Sequence, residues 1–386
     1  MAVDHQPTFS RTSLNLLILV CVILIVIFGQ TTQDQGNIEM PPVPQLDTRI
    51  WQTDSGANVW FSPKLDEKIY IQLHYLAGFA YNQPPFAAGT SELLIRLLNH
   101  QAQLKELPIR FTLSPDFIEA EITLSTDPIT MKADLDRIRQ LLYRPALSKK
   151  HLNQAKQIIP SALDALWLNT YQSQPYAGPK QGTQQSVNSI HRASLQKYHQ
   201  AFMHPSRLFA SISGDINEQA AQVMMESLLP KRRFEAESFR LTNPIPVPMQ
   251  IHANMALVPL TGSKNNPKSF ANQTMTRCVI ETLHSNRVIF IHGQWSNSLI
   301  IEQWATFVDA IKEEIDPSIV RKAKRLCVKN ASSHTQTAQS ISQLLIKLNR
   351  YHLPSNFLHT QFDTIKQWHS AQWEETKVRW FTTPTH

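Results

Sequence analysis

Apolar and polar residues alternate with period two over Ala57–Pro63 and Lys68–Tyr75, which predicts two strands joined by a turn. The same beat returns over Phe117–Leu124 and Leu208–Ile212, the last closing at Ser213-Gly214-Asp215. Elsewhere the spacing lengthens to that of an amphipathic helix, over Ser91–Leu98, Lys132–Tyr143 and Lys149–Leu168. Strands mixed with long helices, without a regular β-α-β beat, predict an α+β fold. One block obeys neither period: Leu14–Phe28 reads LNLLILVCVILIVIF, with Asn15 its only polar member.

With its flanks, that block approaches the roughly 20 residues that cross a bilayer as a helix. No A-x-A-like cleavage site follows at Ile27-Phe28-Gly29-Gln30. Residues 1–30 therefore read as a cytoplasmic tip and an uncleaved signal anchor forming one transmembrane helix, with a cleaved signal peptide as the competing reading. Arg11 precedes the block, whereas the first basic residue after it is Arg49, so the positive-inside bias leaves the N-terminus in the cytoplasm. The expected location is a single pass through the cell inner membrane, with the rest of the chain extracytoplasmic, in the periplasm of a Gram-negative cell. Residues 31–47 are polar, contain Pro41, Pro42 and Pro44, and read as a tether.

At 386 residues, with 42% hydrophobic and 17% charged, the remainder is long enough for two or more ordinary globular domains. Only ten glycines occur, and there is no G-x-x-x-x-G-K-[ST], G-x-G-x-x-G or G-x-S-x-G run, which argues against nucleotide loops and nucleophile elbows. The net charge of +7 is spread out. Its densest clusters, Lys231-Arg232-Arg233 and Arg321–Arg325, lack aromatic interleaving, so no nucleic-acid partner is expected. Cys278 and Cys327 lie 49 residues apart and read as buried small hydrophobes, with one bridge open to them in an oxidising compartment.

The chain also resembles itself. Leu147–Lys156 matches Ile315–Lys324 at an offset of 168, Tyr198-His199 matches Trp368-His369 at 170, and Gly78 and Phe86-Ala87 match Gly262 and Phe270-Ala271 at 184. This order predicts a tandem duplication of an antiparallel-sheet-plus-helices domain. The expected units are residues 48–240 and a shorter 251–386, joined by a proline-rich linker over 241–250 that contains Pro244, Pro246 and Pro248.

A duplication of this layout resembles the insulinase/pitrilysin-type metallopeptidase family. The residues that carry the resemblance are Gly56-Ala57-Asn58-Val59, Tyr75-Leu76-Ala77-Gly78, the helix-opening Gly89–Leu98, Asp134–Leu142 before Arg144-Pro145, and Ser189–His199 before Ser213-Gly214-Asp215. The resemblance implies an inverted zinc motif, His-x-x-Glu-His, on the helix after Gly89, in which two histidines bind zinc and the glutamate activates water. This sequence has Glu92, Ile95 and Arg96 in those three places. Isoleucine accepts no proton, and a guanidinium offers no lone pair and repels a divalent metal. The distal glutamate ligand implied near Ile158–Leu163 is absent, with Asp164 the nearest carboxylate. No two of the fifteen histidines stand three or four apart, and no tyrosine lies between Tyr198 and Tyr351 to supply the second-half contact that the resemblance implies. No catalytic, cofactor-binding or metal-ligating residue is therefore expected.

Glu92 and Arg96 have the spacing of a helix ion pair. His199 and His369 are expected to pack on a helix face against a sheet, and seven of the eight tryptophans, Trp51, Trp60, Trp295, Trp304, Trp368, Trp373 and Trp380, to be core. The resulting expectation is a membrane-anchored, non-catalytic homologue that partners a zinc-competent homologous peptidase subunit or a second copy of itself. Two rivals remain: an active zinc peptidase with a rearranged site, and a free-standing extracytoplasmic peptide-binding or envelope-assembly module.

Overall fold

A computed structural model describes residues 17–20, 37–158, 162–171, 175–230, 249–252, 254–260, 265–284, 288–292, 297–312 and 314–382. Of the expected anchor only residues 17–20, which are helical, fall among these, and the linker prolines 244, 246 and 248 and Trp295 lie outside them. Among the described residues no helix is long and apolar enough to cross a membrane.

The first part of the chain runs β1 (Arg49–Gln52), β2 (Asn58–Pro63), β3 (Lys68–Leu76), α1 (Thr90–Leu104), β4 (Ile109–Leu113), β5 (Phe117–Ser125), α2 (Pro128–Tyr143), α3 (Lys149–Ala155), α4 (Ala162–Tyr171), α5 (Gln184–Ser189), α6 (Arg192–Phe202), β6 (Leu208–Gly214) and α7 (Glu218–Leu228). The second runs β7 (Gln250–His252), β8 (Met255–Pro259), α8 (Pro267–Leu283), β9 (Val288–His292), β10 (Asn297–Glu302), α9 (Trp304–Ala310), α10 (Pro317–Ser333), α11 (Ala338–Arg350), α12 (Phe357–Gln367) and α13 (Ser370–Thr382). The fold is α+β, built on a six-stranded sheet, β1-β2-β6-β3-β5-β4, and a four-stranded one, β7-β8-β10-β9. All pairings are antiparallel except β2 with β6.

The two sheets share a connectivity. In the first, β3 leads through α1 to β4, and β5 returns between them; in the second, β8 leads through α8 to β9, and β10 returns between them. They differ at β6, which enters between β2 and β3, so those two strands are consecutive in sequence yet unpaired. The described residues of the second half contain no such strand, and β7 pairs directly with β8.

Alternation decides which face of the first sheet is apolar. Ile69, Ile71, Leu73 and Tyr75 on β3, with Ile118, Ala120, Ile122 and Leu124 on β5, join α1, α2, α6 and α7 in one core. Gln72 and His74, Glu119 and Glu121, and Ser211 and Ser213 fall on the opposite face. That face is covered by α11 of the second half, which packs on β2, β3 and β6. A capping box between Thr337 and Ser340 starts this helix. Asn349 Nδ2 donates to both Asn58 O and Ala210 O at 3.0 Å, and Ser211 Oγ donates to Ser342 O at 2.6 Å. The exchange is mutual, because α4 of the first half packs on β7 and β8, where Leu166, Trp167 and Tyr171 meet Leu257 and Ile300.

Several sequence expectations change. The single helix expected over Lys149–Leu168 is two, α3 and α4, with Pro160 between them, a residue that removes a helix hydrogen bond and clashes with the preceding turn. The tether is not free: Met40 packs against the second core and Val43 and Leu46 against the cluster that includes α11. His199 is buried and donates Nε2–H to Leu142 O at 2.7 Å, but its sequence match His369 is exposed between α12 and α13. The repeat therefore loses register near its end, where Tyr198 is inside α6 and Trp368 follows α12. Trp60, Trp304, Trp368, Trp373 and Trp380 are all buried, and Trp51 is half-buried against the first core. Cys278 of α8 and Cys327 of α10 form a disulfide.

Asn349→Ala removes one buried and one part-buried hydrogen bond and leaves two strand carbonyls facing an apolar side chain, a loss of about 1–3 kcal/mol. A urea unfolding curve should show a lower midpoint with an unchanged slope; a midpoint equal to that of the parent would mean that Asn349 does not pin α11 to the sheet.

Candidate functional site

Two glycines fix where α1 begins. A Cβ on Gly78 would lie 2.2 Å from Pro115 O, so only glycine lets the end of β3 approach the β4–β5 turn. Gly89, at φ +89°, turns the chain into α1 in the left-handed region, with Gln181 O 2.5 Å from where a Cβ would stand. The first turns of α1 carry Glu92, Ile95 and Arg96. Ile95 belongs to the main core. Arg96 Nε donates to Glu92 Oε1 at 3.0 Å, Nη1 to Ala155 O at 3.1 Å and Gln157 O at 2.6 Å, and Nη2 to Gln181 Oε1 at 3.0 Å. Lys180 Nζ stands 3.9 Å from the other Glu92 oxygen. The place where the resemblance puts a zinc ion thus holds two cations on one carboxylate, a donor set that does not fit a metal. Asp164 does not complete a ligand set: its Oδ1 accepts from the Lys180 backbone N–H at 3.2 Å, and burial and the Glu92 charge raise its pKa.

Lys180 and Asp164 also line a cavity of roughly 600 Å³ between the polar face of the first sheet and the two exchanged helices. Gln72, His74, Glu119 and Glu121 form its sheet wall, Trp167 comes from α4, and Gln343, Ile346, Lys347 and Arg350 come from α11. The volume is that of a site for a small ligand or a few peptide residues.

The polar contacts in this wall converge on Arg350. Its Nη1 donates to Glu119 Oε1 at 3.3 Å and to His74 Nδ1 at 3.2 Å, its Nη2 to Tyr351 Oη at 3.0 Å, and its guanidinium lies 4.7 Å from the Tyr351 ring centroid. Arginine can only donate, so His74 Nδ1 is an acceptor and the imidazole is neutral. Burial lowers the His74 pKa to about 4, against the opposing charge of Glu119. Burial alone would raise the Glu119 carboxyl, but its basic neighbours His74 and Arg350 hold it below the ordinary value. Lys347, one turn before Arg350, is lowered to about 8 by burial and by the charges of Arg350 and Arg277.

None of these chamber residues is marked by a spacing motif. The available signal was the alternation itself, which places Gln72, His74, Glu119 and Glu121 on one face inside strands that the fold buries on both sides. Histidine spacing along the chain likewise missed a pair made in space: His100 of α1 and His151 of α3, with ring centroids 4.4 Å apart, line a second cavity of about 330 Å³ beside Arg96. Among the described residues no group of three or more His, Cys, Asp and Glu side chains is placed to hold a metal ion.

The folded state holds His74 neutral while the unfolded chain protonates it near pH 6.5, so the folded state binds fewer protons as the medium is acidified. Its contribution is complete above about pH 6.5 and is lost as pH falls towards 4, by at most about 1.4 kcal/mol per pH unit. His74→Gln should flatten the loss of unfolding free energy between pH 7 and pH 5; parallel curves for the two proteins would show that His74 is not the group that titrates.

No family profile matches the sequence, and no curated protein is similar to it. Solved structures are. An inactive domain of a peptidase M16 from Pseudomonas fluorescens superposes with a TM-score of 0.69 at 16% identity, covering 86% of this chain and 94% of that one. A protease from Helicobacter pylori gives 0.65 at 13% identity, over 86% and 96% of the two chains. The periplasmic protease PqqL from Escherichia coli gives 0.60 at 11% identity, over 88% of this chain and 47% of its own. The two sheets and their helices therefore have the fold of the insulinase-type (M16) peptidases and of an inactive domain of that type.

Proposed function

We propose that the chain is a catalytically degenerate M16 homologue, formed by tandem duplication and held at a membrane by residues 1–30, that serves as the non-catalytic partner of a zinc-competent homologous peptidase. The observation that carries this reading is Arg96, whose guanidinium is fixed by Glu92, Ala155, Gln157 and Gln181 where the resemblance calls for a metal ligand. The common connectivity of the two sheets and the mutual exchange of α4 and α11 support the duplication. The solved inactive domain of a peptidase M16 supports the loss of catalysis. A chain of complex III2 from Candida albicans, similar over 85% of this chain with a TM-score of 0.63, belongs to an assembly and supports a subunit role. A disulfide between Cys278 and Cys327 suits an oxidising, extracytoplasmic compartment.

Full-length, tag-free protein in mild detergent should carry less than 0.1 zinc per chain and cleave no member of a peptide library. The Glu92→His/Ile95→Glu/Arg96→His variant should gain little, because the distal glutamate is still missing. Stoichiometric zinc with robust cleavage by the parent chain would overturn the reading in favour of an active peptidase. Cross-linking in native membranes should capture a homologue with an intact inverted zinc motif or a second copy. A monodisperse monomer with no homologue captured would favour the free-standing binding module.

For topology, a reporter active only outside the cytoplasm should be active when fused after residue 240, and the protein should sediment with membranes. Recovery of a soluble chain trimmed near residue 30 would instead establish a cleaved signal peptide.

A further inference from the structure

The chamber wall has an imbalance of charge partners. Each of its acids is engaged: Glu119 by Arg350, Glu121 by the Gln339 amide at 2.8 Å, and Asp164 by the Lys180 backbone. The cations are not matched to them. Lys180 is shared with Glu92, Arg350 is committed to Glu119, His74 and Tyr351, and neither Lys347 Nζ nor Arg110 has a carboxylate within ion-pair distance among the described residues. Lys347 is half-buried and lines the cavity, and the exposed Arg110 lies on the same wall. The buried side-chain atoms of this wall that lack a partner among the described residues are all donors: Gln72 Nε2, Trp167 Nε1 and Arg350 Nε. Their side chains, each more than nine-tenths buried, all contribute to the cavity lining.

A wall with cations that lack a carboxylate partner, and with buried donors that lack an acceptor, complements an acceptor-only group. We propose that this chamber is a carboxylate-binding site, in which the Lys347 ammonium, supported by Arg110, receives the acidic group of a peptide or of a small organic acid. Arg350 is a positioning residue: its bonds to Glu119 and His74 hold the end of α11, and with it Lys347, against the sheet. The site uses neither Glu92 nor Arg96, so it is independent of the partner reading and is tested on the chain alone.

The groups that face Lys347 are Glu119 of β5, His74 of β3, Arg350 of α11, Arg277 of α8 and His334 after α10. Both histidines titrate at about 4, Glu119 below the ordinary carboxylate value, and the arginines stay charged. Of the groups in this set, Lys347, at about 8, is the one that changes charge between pH 7 and 9.5. Isothermal titration of the full-length protein in mild detergent would use three probes: an acetylated, amidated hexapeptide with two glutamates, its glutamine isostere, and glutarate alone. The glutamate peptide or glutarate should bind at least tenfold more tightly than the glutamine peptide, and binding should weaken about tenfold or more from pH 7 to 9.5. Lys347→Met should lose that affinity at an unchanged melting temperature, and Lys347→Arg should keep it and abolish the pH dependence, which preserves the test if the methionine variant folds poorly. Tight binding of glutarate would identify a small acid as the ligand class, and binding of the glutamate peptide alone a peptide. Equal binding of both peptides, no binding of any probe at millimolar concentration, or an arginine variant that keeps the parental pH profile would overturn the proposal.

Discussion

A sheet face that carries Gln72, His74, Glu119, Glu121, Ser211 and Ser213 is buried at low cost only where its polar groups find partners, since an unpaired buried amide or hydroxyl costs about 1–3 kcal/mol and an unpaired charge far more. The helix α11 provides partners for most of them and leaves Gln72 Nε2 and Ser213 Oγ without one among the described residues. It supplies a backbone carbonyl to Ser211, an amide at Asn349 for two strand carbonyls, and a guanidinium at Arg350 that serves Glu119 and His74 together. Where the helix does not reach, the polar wall is left lining a cavity rather than a packed interface. The chamber is thus a consequence of covering a polar sheet with a helix that satisfies most of its groups.

The same logic accounts for the state of the α1 site. The Glu92 carboxylate and the carbonyl oxygens of Ala155 and Gln157 meet at this half-buried position and require a positive or donating group. Arg96 supplies five N–H donors on a planar fork, and four acceptors from α1, the end of α3 and the loop before α5 surround it. The site is filled by a cation that chain geometry fixes in place, in contrast to an exposed helix pair, which would contribute only a few tenths of a kcal/mol. A role for the neighbouring chamber does not require this site to change, because Lys180, which lines the chamber, has its charge directed at Glu92.

The period-two and helical patterns made most individual elements legible: strands lie along Ala57–Pro63, Lys68–Tyr75 and Phe117–Leu124, and Ser91–Leu98 lies in α1. The glycine and helix positions that carried the resemblance also kept their geometric meaning, at Gly78 and Gly89. Pairing was not legible. Nothing local places β6, 145 or more residues after β2, between β2 and β3, and nothing in α11 shows that it crosses the opposite half. The chamber residues were hidden for the same reason: Glu119 and Arg350 are 231 residues apart, and an acid on one strand face reads as solvated until the covering helix is known.

That covering is reciprocal, and this limits how the molecule can be divided. The polar face of the first sheet depends on α11 from the second half, while Leu257 and Ile300 of the second sheet depend on Leu166, Trp167 and Tyr171 of α4 from the first. Separating the halves would expose both sets at once and strand Glu119 and Arg350 without each other, although each half also has a core cluster of its own. The cavity has walls from both exchanged helices, Asp164 and Trp167 on one side and Gln343, Lys347 and Arg350 on the other. It exists only when α4 and α11 are both docked, and any ligand held there adds its binding free energy to the association of the two halves.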